Sequence, residues 1–251
     1  MLTRQRKDDI LRRVKEEGRI VAKALSRELG LSEDTIRRDL RELAADGLLQ
    51  RVHGGALPAS PAMAGFADRL HIATASKSAI GRAAATMVRP GQIVFLDGGT
   101  TTIQMARHLP ANLEATVVTH SPTVATELIN HPGVIIELVG GRLFKHSVVT
   151  VGAVALEAIE RIRPDIYFMG VTGVHPEFGL TTGDAEEAAI KRALCHLAAE
   201  TVVLASNEKL GAVSPCLVVA LDEIDTILID GIMPETLRRR LSDLEITVVL
   251  A

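Results

Sequence analysis

The sequence predicts an α/β fold class in two parts, a small N-terminal winged helix-turn-helix head and a larger layered α/β body. Three observations carry this. Residues 19–55, RIVAKALSRELGLSEDTIRRDLRELAADGLLQRVHGG, show apolar residues at helical spacing and then a short basic β-pattern. Seven short apolar runs rich in β-branched residues, QIVFLD, EATVVTH, VIIELVG, DIYFMGV, ETVVLAS, DTILID and ITVVL, alternate with helical stretches, as in a parallel or mixed sheet covered on both faces. Between the two parts, LPASPAMAG has Pro, Ala and Gly without periodicity and reads as a linker. The expected boundaries are 1–57 for the head, 58–75 for the linker and 76–251 for the body.

In the head, a first helix over Arg4–Glu17 turns Ile10, Leu11 and Val14 inward and ends at Gly18. Leu25 and Leu29 stripe a second helix that Gly30 closes in a tight turn. Ser32 stands at the N-cap position of a third helix, where its hydroxyl can accept from a free backbone N–H. Ile36, Leu40 and Leu43 recur at i, i+4 and i+7, while Asp34, Arg37, Arg38 and Arg41 lie broadly opposite and Thr35 on the flank. Gly47 suits the helix end, and LLQRVHGGA then reads as a two-stranded wing with a Gly-Gly turn. In the body, helices are expected near Ser76–Met87 (broken by Arg89-Pro90-Gly91), Thr101–His108, Pro122–Leu128, Val151–Arg161, Glu186–Ala199 and Pro234–Leu241.

An Arg-rich helix face alone is most often only a solvated face. Helix, turn, capped basic helix and basic hairpin in succession instead point to double-stranded DNA as the partner, with the third helix entering a major groove. The expected DNA-facing set is Ser32, Asp34, Thr35, Arg37, Arg38 and Arg41 on the helix, with Arg51, His53 and Gly54 on the wing. The net charge of −3 divides unevenly: residues 1–57 hold 13 Lys and Arg against 10 Asp and Glu, and the rest holds 15 against 21. An excess of three positive charges is small, so two copies on a palindromic operator, a homodimer or homotetramer, are expected. With 47% apolar residues and mean hydropathy +0.23, the chain is no disordered segment. No apolar run approaches the roughly 18 residues that span a bilayer, and MLTRQRKDDI lacks the apolar segment of a secretory signal. Cys195 and Cys216 form no C-x-x-C pair and are expected as buried thiols, so the expected compartment is the cytoplasm.

Ligands of open α/β sheets sit beyond the carboxyl ends of strands, where Gly-rich turns open helices. Asp97-Gly98-Gly99-Thr100-Thr101 is such a turn, with glycine backbone, helix amides and hydroxyls able to meet an anion. Thr119-His120-Ser121, Gly140-Gly141-Arg142 and Gly170/Gly173 follow other strands, and Lys191 and Lys209 add cations. Glu187 and Lys191 could equally be an ordinary i,i+4 surface ion pair. There is no G-x-x-x-x-G-K-[ST], no helix-opening G-x-G-x-x-G and no histidine cluster, so no nucleotide cofactor and no metal are expected. With no Trp and one Tyr the body lacks an aromatic platform for a free sugar, which favours a phosphorylated one.

With SEDTIRRDLRELAADGLLQRVHGGA in the head and DGGTT, LVGGRL, GLTTGDAEEAAIKRA and ASNEKLG in the body, the chain resembles the DeoR family of bacterial transcriptional regulators along nearly its whole length. The resemblance implies a repressor of a sugar or polyol operon, released by a phosphorylated sugar, with a sensor domain similar to sugar-phosphate isomerases. It implies effector contacts at Asp97, Gly98, Gly99, Thr100, Thr101, Thr119, Ser121, Gly140, Gly141, Arg142, Lys191 and Lys209. Two departures stand out: Ala205–Gly211 lacks the aspartate of the family's A-D-x-x-K-x-G, and His120 replaces a common Asn. A retained isomerase is the alternative from another class, with Asp97, Glu187 and Lys209 as its candidates. Against it, no acidic residue lies between Asp165 and Glu177, so no catalytic residue is expected. An activator in place of a repressor also fits the sequence.

Overall fold

A computed structural model describes residues 3–251. The head consists of α1 (Thr3–Glu17), β1 (Ile20–Val21), α2 (Ala22–Leu29), α3 (Glu33–Ala45), β2 (Leu49–Val52) and β3 (Gly55–Pro58). Ile10, Val14, Leu25, Ile36, Leu40, Leu43 and Leu49 form its core, with Leu11 only half-buried at the margin. Gly30, at φ 63°, closes α2 in the left-handed region that glycine enters without a Cβ clash. The Ser32 hydroxyl accepts from the Thr35 amide at 3.2 Å and caps α3.

Asp39 does not share the solvated face of α3. It is fully buried, and Arg6 of α1 reaches it with two hydrogen bonds, Nη2 to Oδ1 at 3.0 Å. This pair locks α1 onto the back of α3 and leaves the other side of α3 free. The wing also differs in detail from expectation. Val52 pairs with Gly55, so the two-residue turn is His53-Gly54, with Gly54 at φ 77°. Gly55 serves a separate constraint: a Cβ there would lie 1.8 Å from the Ile20 carbonyl oxygen where β1 crosses.

The stretch expected to be a linker is packed. Ala59 bridges to Val213, the Ser60 hydroxyl donates to the Thr172 carbonyl, and residues 61–63 form one 3-10 turn before α4 (Phe66–Arg69). Individual polar anchors hold it, so no apolar period marks it in the sequence.

The body continues with α5 (Thr74–Ala85), β4 (Ile93–Leu96), α6 (Thr100–His108), β5 (Ala115–Thr119), α7 (Pro122–Leu128) and β6 (Val134–Leu138). A hairpin, β7 (Arg142–Phe144) and β8 (Val149–Val151), leads into α8 (Ala153–Ile159), so that helix starts two residues later than expected. Then come β9 (Ile166–Gly170), β10 (Gly173–His175), β11 (Gly179–Thr182), α9 (Ala185–Leu197), β12 (Glu200–Ala205), β13 (Cys216–Val219), β14 (Thr226–Ile229), α10 (Glu235–Asp243) and β15 (Thr247–Leu250).

The seven apolar runs become one parallel sheet in the order β15-β14-β12-β9-β4-β5-β6, and β10-β11-β13 form a small antiparallel sheet beside it. One face, with Val94, Leu96, Phe168 and Leu204, packs under α5, α6 and α7; the other, with Phe95, Tyr167, Met169 and Val203, packs under α8, α9 and α10. The edges escape full coverage: Ile135 and Leu138 of β6 and Leu250 of β15 are exposed. Cys195 is buried, whereas Cys216 is only half-buried. From β4 the chain winds outward through β5 and β6; it then returns to β9 beside β4 and winds the other way through β12, β14 and β15. The β4/β9 boundary is therefore the switch point, where a crevice opens beyond the strand ends.

Asp39→Ala should destabilise the head by about 3–5 kcal/mol, because it strands the Arg6 charge in the core. Urea unfolding of the variant, beside the apolar double replacement Arg6→Met/Asp39→Leu, measures this. The double variant is expected to recover most of the loss.

Candidate functional site

On the head, Arg37, Arg38 and Arg41 are exposed along α3, with Asp34 beside them. Arg37 is held by Glu33 at 2.9 Å, whereas Arg38 and Arg41 have no ion-pair partner among the described residues. Thr35 is half-buried, its hydroxyl 2.9 Å from that of Ser32. Arg51 and His53 are exposed on the wing and Gly54 forms its tip. Two free guanidinium groups on the open face of a capped helix, flanked by a basic hairpin, can meet phosphates and base edges together.

In the body, a pocket of about 490 Å³, partly open to solvent, lies at the switch point. Its floor is Gly98-Gly99 after β4, Gly170-Val171 at the end of β9, and the first turn of α6. Gly99 sits at φ 134°, and Gly98 has no room for a side chain because its Cβ would be 2.0 Å from Val149 Cγ1. The backbone therefore lies bare at the N-terminus of α6, where amides have no intrahelical partner. The Thr101 hydroxyl, which lines the pocket, is buried without a partner.

Asp97 lies under this floor, fully buried. One carboxylate oxygen accepts from His120 Nε2 and the Gly98 amide, each at 2.8 Å; the other accepts from Lys191 and from the Gly170 amide at 2.8 Å. His120 Nδ1 faces the Thr150 carbonyl at 3.0 Å. Burial by itself raises the Asp97 pKa, but the Lys191 charge and the His120 hydrogen bond outweigh it and hold the carboxyl well below the usual carboxylate range.

Four cations line the pocket, Arg69, Lys77, Lys191 and Lys209, against one carboxylate, Glu187. Burial pushes the Lys209 pKa down to about 8, Glu208 opposes this, and the neighbouring Lys77, Arg69 and Lys191 charges add to it. Burial also lowers the pKa of Arg69 and of Lys77. Crowded, desolvated cations of this kind gain from any anion that joins them. Lys77 spends one donor on the Arg69 carbonyl at 2.7 Å, while Lys209 makes no side-chain hydrogen bond among the described residues. Among those residues no group of three or more His, Cys, Asp or Glu could hold a metal ion.

Of the residues expected at the ligand, Gly98, Gly99, Thr100, Thr101, Lys191 and Lys209 meet at this pocket, and Asp97 supports it from below. Five others do not line it. The Thr119 hydroxyl is used on the Leu96 carbonyl at 2.6 Å, and Ser121 caps α7. Gly140 and Gly141 are exposed, and Arg142 is a rim side chain paired with Glu186. Nor do Glu187 and Lys191 form a surface pair; both are buried, and Lys191 turns to Asp97. Arg69, Lys77, Ser147, Thr172 and Thr182 were not foreseen. Arg69 lies in the supposed linker, and Lys77 in a helix whose pattern shows only its apolar side.

The C-terminal 160 residues from 72 to 231 match the model described as the DeoR C terminal sensor domain, and residues 6–61 match the DeoR-like helix-turn-helix domain. The chain belongs to the DeoR family. Arg69 falls between the two matched regions. The HTH-type transcriptional regulator GlpR of Haloferax volcanii is 36% identical over 99% of this chain and 98% of its own length. The HTH-type transcriptional repressor GlcR of Bacillus subtilis is 33% identical over 88% of this chain and 86% of its own. The glycerol-3-phosphate regulon repressor of Escherichia coli is 30% identical over 98% of both chains. Ribose 5-phosphate isomerase A of Methanocaldococcus jannaschii overlaps 53% of each chain at 18% identity and a TM-score of 0.39, a partial likeness that distinguishes no function. The protein is thus a DeoR-family transcriptional regulator with a winged head and an α/β sensor body.

Two measurements check the pocket. Asp97 has its pKa lowered on folding, so its contribution is complete above the unfolded value of about 4 and is lost as pH falls further. Asp97→Asn should be about 3–5 kcal/mol less stable at pH 7, with a flatter acid-unfolding profile below pH 4 than wild type. Lys209 carries its charge below pH 8 and loses it above. Calorimetry should therefore show inorganic phosphate binding about tenfold weaker at pH 9 than at pH 7, and Lys209→Arg should remove most of that decline.

Proposed function

We propose that this protein is a cytoplasmic repressor that binds a palindromic operator as a homodimer or homotetramer and leaves it when a phosphorylated sugar fills the body pocket. One observation carries the sensor half. At the switch point an α-helix N-terminus, an unpartnered buried threonine hydroxyl and four converging cations await an anion in a chain that also bears a helix-turn-helix. A phosphate ester satisfies all of these at once. The printed names of relatives, a glycerol-3-phosphate regulon repressor among them, support the same ligand chemistry and the repressing role.

On the DNA side, Arg38 and Arg41 supply contacts in the major groove. Ser32, Asp34, Thr35 and Arg37 sit at or near the start of the helix, and Arg51, His53 and Gly54 lie against the backbone or minor groove. Binding without catalysis fits the carboxylates. Asp97 is saturated by four donors and held charged, which leaves it no capacity to take a proton from a substrate, and the lining adds only Glu187.

Coupling runs through the packed segment between the two parts. β3 leads into Ser60, which donates to Thr172, and then to Ala62 and Arg69, which line the pocket with Thr172. A ligand that draws in Arg69 pulls on the chain that carries the wing. A coupling of about 1–3 kcal/mol suffices to change operator occupancy roughly 5- to 150-fold.

Electrophoretic titration of the protein against the DNA upstream of its own and adjacent genes, with a panel of sugar phosphates, tests the whole proposal. One phosphosugar should weaken binding at least about fivefold, and no effect from any would remove the sensor role. Arg38→Ala should lose specific binding with an unchanged melting temperature. Retained discrimination in that variant would place base recognition elsewhere.

A further inference from the structure

Two buried groups of opposite charge stand without protein partners where the anion pocket meets a second cavity. That cavity, about 180 Å³, is walled by Met63, Phe144 and His146 and shares Arg69, Thr172 and Glu187 with the first. Glu187 is 6% exposed, and its carboxylate makes no hydrogen bond or ion pair among the described residues; only its backbone amide is held, by Asp184 at 3.1 Å. Arg69 gives one Nη to the His146 carbonyl and the Ser147 hydroxyl, while its Nε–H is buried with no acceptor. The two lie within electrostatic range, yet no salt bridge joins them. A buried carboxylate and a buried guanidinium N–H, both open only to a cavity, are costly unless something fills it.

We propose that Glu187 and Arg69 recognise the non-phosphate part of the effector as a pair of vicinal hydroxyls, one donating to the Glu187 carboxylate and the other accepting from Arg69 Nε–H. This rests on the reading of the first cavity as a phosphate site. Ligand chemistry is narrowed by what each alternative leaves unsatisfied. An ammonium group would satisfy Glu187 but face Arg69, Lys77, Lys191 and Lys209. A second carboxylate would be repelled by Glu187. An alkyl chain would leave both charges buried and unpaired. A diol serves both groups, because a hydroxyl donates and accepts. Thr172 and Thr182 add further hydroxyl contacts along the same wall. The ligand class is then a polyol or sugar monophosphate with free hydroxyls next to the ester-bearing end, and not a phospho-acid or an amino-sugar phosphate.

The test is calorimetry on the full chain with inorganic phosphate, alkyl phosphates, and three- to six-carbon polyol phosphates matched to them in length. The tightest polyol phosphate should bind at least about tenfold better than its alkyl counterpart. Glu187→Ala should bring that ratio to about one while leaving inorganic phosphate binding as in wild type, which also reports that the pocket is folded. Arg69→Lys keeps the charge but lacks the Nε–H, and should lower the ratio in the same way. Glu187→Gln, which still accepts through its amide oxygen, should keep an intermediate ratio. An unchanged ratio in Glu187→Ala overturns the proposal, as does a parallel loss of inorganic phosphate binding. Equal binding of alkyl and polyol phosphates by wild type overturns it while leaving the phosphate site standing. Failure of every phosphate to bind removes both.

Discussion

The Asp97 carboxylate is charged, fully buried and surrounded by four donors from four parts of the chain: Lys191 on α9, His120 after β5, and the amides that follow β4 and close β9. A lone buried carboxylate would neutralise itself or unfold its surroundings. Here the donors reverse that tendency, and their geometry fixes the turns around it. Gly98 and Gly170 can present their amides only because the backbone comes close; a Cβ on Gly170 would crowd the Gly98 carbonyl at 3.2 Å. The bare floor that an anion approaches is thus the outer side of the shell that satisfies Asp97. Lys191 faces both ways, paired with Asp97 beneath and lining the pocket above.

The head uses the same device for another end. Arg6 and Asp39 are buried against each other between α1 and α3, on the side of α3 away from Arg38 and Arg41. Apolar packing alone can slide along a helix, whereas a two-bond ion pair fixes rotation as well as position. The free arginines therefore point outward at a defined angle from the wing. Gly55 makes the wing follow, because β1 lies against it too closely for any other residue.

Between these two rigid bodies runs a segment with the composition of a flexible tether and the contacts of a wall. Ser60 is anchored to Thr172, the Phe66 amide donates to the His146 carbonyl at 3.0 Å, and Arg69 reaches Ser147. The pocket is incomplete without it. Occupancy of the pocket and position of the head are consequently linked through one short stretch of chain, with no need for a long path across the sheet.

By itself the sequence determined the elements and their polarity: seven apolar runs that could only be strands buried in a parallel sheet, a Ser-capped helix with one apolar stripe, and glycines at turns that open helices. These are local quantities, set by side-chain period and backbone sterics. It also determined that Gly98 to Thr101 would meet an anion-sized space, since that turn carries its own amides and hydroxyls. The tertiary structure decided which charges face inward. Asp39 sits among arginines in the sequence yet is buried; Glu187 and Lys191 have the spacing of a surface pair yet part company; Thr119 and Ser121 look like ligand donors yet satisfy neighbouring backbone. Arg69 and Lys77 joined the pocket, and Arg142 stayed at its rim, because strand order and the path of the strap set distances between residues far apart in the chain. The stability of a charge depends on those neighbours, and one residue's place in a sequence does not name them.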